Sequence, residues 1–169
     1  ADGGYSIAEV AAGEAAIDIE LYEASATLTL NALDLKFAGA TLTGADGKAV
    51  PLTVATDAAA QTATFTAPAP LAPGRYRLTT AYTGVINTQA NGLFALDYPD
   101  KATGREVRGL FTQFEAPDAR RFVPSFDEPS YKATFDLAVT VPEGDLAVSN
   151  MPVASETPAQ GGRKKVVFR

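Results

Sequence analysis

Residues 133–141 read Ala-Thr-Phe-Asp-Leu-Ala-Val-Thr-Val, and every second residue of this stretch is apolar. Successive side chains of a β-strand point to opposite faces, so this alternation is typical of a strand with one buried face and one face in water. The Thr, Val and Phe residues also favour strand conformation. The stretch therefore predicts a β-strand over residues 133–141.

The same period of two recurs along the chain, at residues 17–21, 33–37, 50–54, 62–66 and 75–80. Stretches rich in Gly, Pro, Asn and Asp separate these runs, at spacings of roughly 10 to 20 residues that suit an antiparallel sandwich. Only the Ala-rich residues 7–16 and residues 117–122 favour helix, and only for a turn or two. We predict an all-β fold, a saddle-like antiparallel β-sandwich with one or two short helical turns.

The composition is that of a globular protein, with 46% hydrophobic and 20% charged residues in a chain of 169. Because no internal repeat or change of composition divides the chain, we expect a single β domain over residues 1–169. The net charge of −6 repels a phosphate backbone, which argues against a nucleic-acid partner. No apolar stretch is long enough for a transmembrane segment.

The chain contains no His, no Cys and no Trp. It therefore cannot supply imidazole or thiolate ligands to a transition metal, a Ser-His-Asp triad, a thiol nucleophile or a disulfide. We expect no cofactor bound by this chain. The compartment is not readable from the sequence, because a chain without Cys is compatible with both oxidising and reducing surroundings.

One segment is denser in aromatic, charged and proline residues than the rest. If residues 110–115 form a strand, Gln113 and Glu115 project side by side from one face. An amide and a carboxylate at this spacing suit an ammonium group. In the alternative interpretation, Glu115 forms a surface ion pair with Arg120 or Arg121, worth about 0 to 1 kcal/mol. The residues alone leave both interpretations open.

Residues 109–135, GLFTQFEAPDARRFVPSFDEPSYKATF, resemble the signature of the amino-terminal domain of the aminopeptidase N family of zinc metallopeptidases. Residues 28–35, 82–84, 91–94 and 147–153 resemble other parts of that domain, so the resemblance covers most of the chain. The sequence departs from the family pattern at Val123 and Ser125, on either side of Pro124.

The resemblance implies a saddle-shaped β domain that caps a separate catalytic domain. In the family, two His of an H-E-x-x-H helix and a later Glu hold the zinc. Because this chain has no His, we expect the catalytic domain and its zinc to follow residue 169. The implied function is that of a zinc-dependent aminopeptidase, which removes N-terminal residues from peptides, with this chain inactive on its own.

The resemblance also implies roles for individual residues. Glu115 would bind the free α-ammonium group of the peptide substrate, and Gln113 would line the pocket for the first side chain. The rest of the signature is expected to be structural, with two arginines and three carboxylates in an ion-pair network and two prolines restricting the backbone. These residues are Asp118, Arg120, Arg121, Pro124, Asp127, Glu128 and Pro129.

Two other functions are alternatives to this one. The first is a stand-alone, non-catalytic β-sandwich module that binds carbohydrate or protein. The second is a self-contained hydrolase that uses the adjacent Asp127 and Glu128, although neighbouring residues of an extended chain point apart. If the capping role is right, one face of the domain should carry an apolar patch that the catalytic domain covers.

Overall fold

The structure, a computed structural model, describes residues 10–169, which contain eleven β-strands and one short 3₁₀ helix at Ala119–Arg121. The all-β prediction is confirmed. None of the helical structure in residues 10–169 is long and apolar enough to cross a membrane. The strands are β1 (Val10–Leu21), β2 (Ser25–Asn31), β3 (Leu35–Gly44), β4 (Ala49–Asp57), β5 (Thr62–Leu71), β6 (Gly74–Val85), β7 (Gly92–Pro99), β8 (Glu106–Gln113), β9 (Leu137–Pro142), β10 (Val153–Ala159) and β11 (Arg163–Phe168).

The chain forms two compact units, Ala1–Pro129 and Ser130–Arg169. The first unit holds strands β1 to β8 and the loop after β8, and the second unit holds β9 to β11. The single domain expected over residues 1–169 stays a prediction.

A six-stranded antiparallel sheet is the framework of the first unit, with the strand order β1-β6-β3-β4-β5-β2. Strand β4 is shared between two ladders, since it pairs with β3 through residues 49–52 and with β5 through residues 53–57. One additional residue in β3, Ala38, interrupts the β3–β6 pairing as a bulge. Bulges and strands that pass from one ladder to another bend a sheet, which is how this sheet curls around its core.

The core of the first unit is built from alternate residues of these strands. Strand β5 buries Ala63 and Phe65, and β6 buries Leu78 and Tyr82. The Phe65 ring meets Phe37 of β3 edge-on, with 5.4 Å between the ring centroids. Burying one such large apolar side chain contributes about 1.5–3 kcal/mol. The alternation that predicts the strands therefore also determines which of their faces covers the core.

Tyr82 connects the sheet to the loop after β8. Its ring lies over Gly13 of β1, where a Cβ atom would come within 2.6 Å of the ring. Its hydroxyl donates a hydrogen bond of 3.0 Å to the carbonyl oxygen of Phe122. Burial raises the pKa of Tyr82 to about 12, because the phenolate is disfavoured away from water.

Strands β7 and β8 form a separate two-stranded ribbon in the first unit. Gly92 pairs with Gln113 at the end of the ribbon that leads into the following loop. Near the other end, Arg108 of β8 donates two hydrogen bonds of 2.7 Å to the carboxylate of Asp97 on β7. The ribbon thus presents Gln113 where the chain leaves the sheet structure.

The second unit contains a three-stranded antiparallel sheet with β11 between β10 and β9. Strand β11 buries Val166 and Phe168, which pair with Val139 and Leu137 of β9. On the opposite face of β11, Lys165 is exposed and Val167 is half-buried. The face with Val166 and Phe168 is therefore the more buried one.

The helical turns expected in residues 7–16 are wrong for residues 10–16, which belong to β1, and residues 7–9 lie outside the described residues. Ala and Gly do not favour strands, but β6 pairs with β1 along all 12 of its residues. Gly13 in addition makes room for the Tyr82 ring. Tertiary pairing here overrides the local preference.

The strand predicted over residues 133–141 begins only at Leu137. Phe168 of β11 pairs with Leu137, and no described strand pairs with residues 133–136, which are exposed. The other five alternating runs lie in β1, β3, β4, β5 and β6, although β3 begins at Leu35. The helical turn expected within residues 117–122 is confirmed by the 3₁₀ helix.

Because the pKa of Tyr82 is raised in the folded state, the stability of the fold should decrease at alkaline pH. The folded-state pKa of about 12 lies above the ordinary value of 10.0, so the stabilisation is fully present below pH 10 and is lost as the pH rises towards 12. In this window the free energy of unfolding should fall by up to about 1.4 kcal/mol per pH unit. Tyr82→Phe should remove this slope and cost about 1 kcal/mol at pH 8 through the lost hydrogen bond.

Urea denaturation at several pH values between 8 and 11.5, followed by circular dichroism, measures both effects. The matched control is Tyr22→Phe, because the Tyr22 side chain is 84% exposed. If the free energy of unfolding varies with pH in the same way for the wild-type chain and for Tyr82→Phe, Tyr82 is not the cause of the pH dependence.

Candidate functional site

Gln113 is the last residue of β8, and its side chain is exposed. By strand alternation it lies on the same face of the ribbon as Phe111. Within residues 10–169 the side-chain amide of Gln113 has no hydrogen-bond partner. Its donors and acceptor are therefore available to a ligand.

Glu115 lies beyond the end of the strand, so the prediction of a strand over residues 110–115 is wrong after Gln113. The backbone N–H of Asp118 donates a 2.9 Å hydrogen bond to the carbonyl oxygen of Phe114, and Glu115 lies in the turn that this bond closes. The peptide bond between Glu115 and Ala116 is cis. Gln113 and Glu115 thus lie at the strand end and in the adjacent turn, respectively, and both are exposed.

Glu115 forms an ion pair with neither Arg120 nor Arg121. Arg120 pairs with Asp127, and Arg121 pairs with Asp118 and with a more distant carboxylate. Among the residues that the structure describes, the Glu115 carboxylate has no salt-bridge or hydrogen-bond partner. The surface ion pair that the sequence left open is not formed.

The ion pair between Arg120 and Asp127 is nearly buried, with side chains 13% and 10% exposed. The Nε atom of Arg120 lies 2.8 Å from Oδ2 of Asp127, and the Arg120 backbone N–H donates to the same oxygen at 3.2 Å. Nη1 of Arg120 donates to Oε1 of Gln61 at 3.0 Å. A buried pair is costly to break, because the remaining charge is left without a partner away from water.

Arg121 bridges two carboxylates. Its Nε donates a 2.9 Å hydrogen bond to Oδ1 of Asp118, and its Nη1 donates to Oδ2 of Asp34 in the turn between β2 and β3. Asp34 adopts a left-handed backbone conformation, with φ of 59°. Such conformations are tolerated by Asp in tight turns, so the turn directs this carboxylate towards the loop.

Backbone hydrogen bonds attach the loop after β8 to the end of β2. Asn31 and Ser125 exchange two hydrogen bonds, of 2.8 and 3.1 Å. The Asp127 backbone N–H donates to Oδ1 of Asn31 at 3.1 Å. Pro124, immediately before Ser125, is buried. The loop is therefore held at several points along its length, as well as by its ion pairs.

Two residues of the predicted signature remain apart from this network. The side chains of Glu128 and Pro129 are exposed, and Glu128 has no ion pair in the described part of the chain. Asp127, in contrast, is directed into the loop against Arg120. Asp127 and Glu128 therefore do not form the acid and base pair that a carboxylate hydrolase needs.

Three residues that hold this loop were not predicted from the sequence, namely Asn31, Asp34 and Gln61. Each contacts a loop residue that is 59 to 96 positions away in the sequence. Asp34 and Gln61 both have positive φ angles, which are typical of turns. A turn could be expected at these positions, but no local pattern indicates what a turn residue contacts.

An exposed apolar row lies on the same ribbon face as Gln113. It consists of Leu96, Tyr98 and Phe111, which are 47%, 45% and 43% exposed. The Phe111 and Tyr98 rings come close to Gly109, where a Cβ atom would lie 2.7 Å and 3.3 Å from them. This glycine lets the two aromatic rings settle on one face of the ribbon.

Residues 10–169 contain no group of three or more His, Cys, Asp and Glu that could hold a metal ion. The whole sequence lacks His and Cys, from which zinc sites are mainly built. The side chains of this chain therefore do not fit a zinc centre.

The buried ion pair of the loop should carry more stability than an exposed one. We expect Arg120→Met or Asp127→Asn alone to lower the free energy of unfolding by about 3–5 kcal/mol, because each leaves a buried group without its partner. The double variant should lose less than the sum of the two. Urea denaturation of the four proteins of this cycle gives the coupling energy.

The exposed pair between Arg77 and Asp18 is the matched control, with side chains 59% and 72% exposed. Its double-mutant cycle, from Arg77→Met and Asp18→Asn, should give a much smaller coupling energy, because water screens an exposed ion pair. Additive losses at Arg120 and Asp127 would show that this ion pair does not hold the loop.

Comparison with known proteins identifies the family of this chain. The profile of the peptidase M1 N-terminal domain matches residues 7–169. Aminopeptidase N of Acetobacter pasteurianus is 41% identical over 156 residues, which are 92% of this chain and 42% of that protein. Puromycin-sensitive aminopeptidase of Caenorhabditis elegans is 36% identical over 156 residues, 92% of this chain and 16% of that protein.

This chain therefore spans less than half the length of either relative. Aminopeptidase M1-C of Oryza sativa subsp. japonica is 34% identical over 145 residues, again only 16% of its length. The family match covers nearly the whole chain and includes the loop that carries Gln113 and Glu115. The chain belongs to the peptidase M1 N-terminal domain family.

Proposed function

We propose that this chain is the substrate-capping domain of a zinc-dependent aminopeptidase that removes N-terminal residues from peptides. In this role Glu115 and Gln113 bind the free α-ammonium end of the substrate, and the chain is inactive on its own. The supporting observation is the exposed Glu115 carboxylate, which has no partner in residues 10–169 although two arginines lie within six residues of it.

The state of the two arginines explains why Glu115 is available. Arg120 and Arg121 are each engaged by other carboxylates, so neither neutralises Glu115. The same ion pairs fix the part of the loop that follows the turn with Glu115. A site that is already ordered before the ligand arrives loses less conformational entropy on binding.

An α-ammonium group is what distinguishes the end of a peptide from its interior. A carboxylate accepts charge-assisted hydrogen bonds from it, and the amide oxygen of Gln113 can accept another. An internal peptide nitrogen carries no such charge, and would leave the carboxylate without a partner. Glu115 and Gln113 therefore favour substrates with a free amino terminus.

The hydrolytic chemistry must come from elsewhere in a longer polypeptide. This chain does not fit a zinc centre, and its carboxylates Asp127 and Glu128 are not paired for catalysis. The relatives named aminopeptidases are longer than this chain, which leaves room in them for a catalytic domain. We place zinc and peptide-bond cleavage in such a domain after residue 169.

The apolar row of Leu96, Tyr98 and Phe111 is the surface that we assign to contact with the catalytic domain. It lies on the ribbon face of Gln113, so a domain packed on it is brought next to the proposed substrate site. Large exposed apolar side chains in a row are typical of surfaces that another protein covers.

Replacing Glu115 tests the ammonium-binding role. In the full-length protein, Glu115→Gln should lower kcat/KM for aminoacyl substrates at least about thirtyfold, the equivalent of about 2 kcal/mol, because the charge that pairs with the ammonium is lost. Steady-state kinetics with an aminoacyl anilide measures the effect. Glu106→Gln, an exposed carboxylate at the start of the same strand, is the control and should retain wild-type kinetics. Unchanged kinetics in Glu115→Gln would refute the role.

A separate experiment tests whether peptide hydrolysis requires a domain outside this chain. The 169-residue chain should not release amino acids from peptides, with or without added zinc, whereas the full-length protein should do so and should lose activity to a chelator. The reading frame after residue 169 should encode H-E-x-x-H and a later Glu. If this motif is absent and the chain binds glycans or a protein in calorimetry, it is instead a stand-alone binding module.

A further inference from the structure

Arg121 contacts three separate parts of the first unit. Its guanidinium group donates to Asp118, three residues earlier, and to Asp34, in the turn between β2 and β3. Its Cβ atom lies against Gly92, where an added Cβ would come within 2.7 Å of it. One side chain therefore joins the loop, the six-stranded sheet and the ribbon.

The contact with Asp118 leads directly to Glu115. The Arg121 backbone N–H also donates to the carbonyl oxygen of Asp118, at 3.1 Å, and Asp118 in turn closes the turn through its 2.9 Å hydrogen bond to Phe114. Glu115 is the first residue inside this closed turn. Holding Asp118 from both its side chain and its backbone thus fixes one end of the segment that carries Glu115.

The contact with Gly92 leads to Gln113. Gly92 is paired with Gln113 across the ribbon and has a φ of 62°, which favours glycine. Gly92 is the first residue of β7, and its contact with Arg121 holds this end of the ribbon at a set distance from the loop. The Arg121 side chain therefore contributes to the positions of both proposed substrate-binding residues, Gln113 and Glu115.

We propose that Arg121 is the positioning residue of the ammonium site, in that it sets where Gln113 and Glu115 lie relative to the sheet; this inference rests on the proposed function. Arg121 does so by donating in two directions from one planar group, to Asp118 and to Asp34. A lysine is a point charge on a flexible stem and cannot reproduce this geometry. Arg120, by comparison, holds the far end of the loop through Asp127.

The test compares two inhibitors of the full-length protein that differ only in the α-amino group, leucine hydroxamate and 4-methylpentanohydroxamate. The ratio of their inhibition constants reports ammonium binding alone. Arg121→Gln and Arg121→Lys should both weaken the amino compound roughly tenfold and leave the amine-free compound unchanged, because a displaced carboxylate no longer meets the ammonium. Arg77→Gln, which removes a two-hydrogen-bond Arg–Asp pair elsewhere in the sheet, should change neither constant.

Glu115→Gln, measured in parallel, separates the two proposals. If it leaves the ratio unchanged, the proposed function is wrong and the positioning role is wrong with it. If it abolishes the preference for the amino compound while both Arg121 variants retain it, only the positioning role is wrong. Equal weakening of both inhibitors in the Arg121 variants would also overturn the inference, since it indicates a general loss of structure.

A second variant and a second measurement distinguish the positioning role of Arg121 from a general loss of structure. Asp34→Asn keeps a residue that tolerates a positive φ but removes one charge from Arg121, and should shift the inhibitor ratio in the same direction by a smaller factor. In the 169-residue chain, ¹⁵N relaxation should show increased motion at Glu115 and Ala116 in Arg121→Gln, with β6 unchanged. Unaltered relaxation at these two residues would contradict the positioning role.

Discussion

The guanidinium group of Arg120 and the carboxylate of Asp127 lie almost out of water, and the rest of the loop after β8 is arranged around keeping them paired. A buried charge is tolerated only with its partner and its hydrogen bonds in place. Gln61 and the backbone of Arg120 supply those hydrogen bonds, and Asn31 holds the backbone of Asp127. The loop consequently has one favourable position against the sheet. That position leaves the turn with Glu115 outside, in contact with solvent.

The proposed function separates recognition from chemistry. In it, the side chains of this member of the peptidase M1 N-terminal domain family bind a cationic end group, whereas they do not fit a zinc centre. A rigid recognition surface suits such a division, because the residues that select the substrate can be ordered independently of those that cleave it. The ion pairs of the loop supply that rigidity without using any catalytic group.

Much of the fold could be predicted from local patterns, since a strand with one buried face must alternate. Phe65 and Leu78 follow this rule and are fully buried. Residues 10–16 could not be predicted, because small residues carry no period and their strand exists through pairing with β6. In the candidate site, the residue types at 113 and 115 are compatible with an ammonium ligand and with a surface ion pair, and the ammonium ligand stays a prediction. The end of β8 at Gln113 and the pairing of Arg121 with Asp34 depend on contacts that are distant in sequence, which no local pattern contains.

The strand order β1-β6-β3-β4-β5-β2 has a consequence for how the chain acquires its structure. Strands β1 and β2, which precede the others in the described sequence, occupy opposite edges of the sheet and do not pair with each other. Strand β2 must wait for β5, and β1 must wait for β6, whereas β3, β4 and β5 close through short hairpins. Assembly should thus start in the middle of the sheet and spread outwards, because short loops close at a lower entropic cost than long ones. During synthesis β1 cannot complete its pairing until residue 85 has emerged, and its exposed edge favours misassociation during this interval.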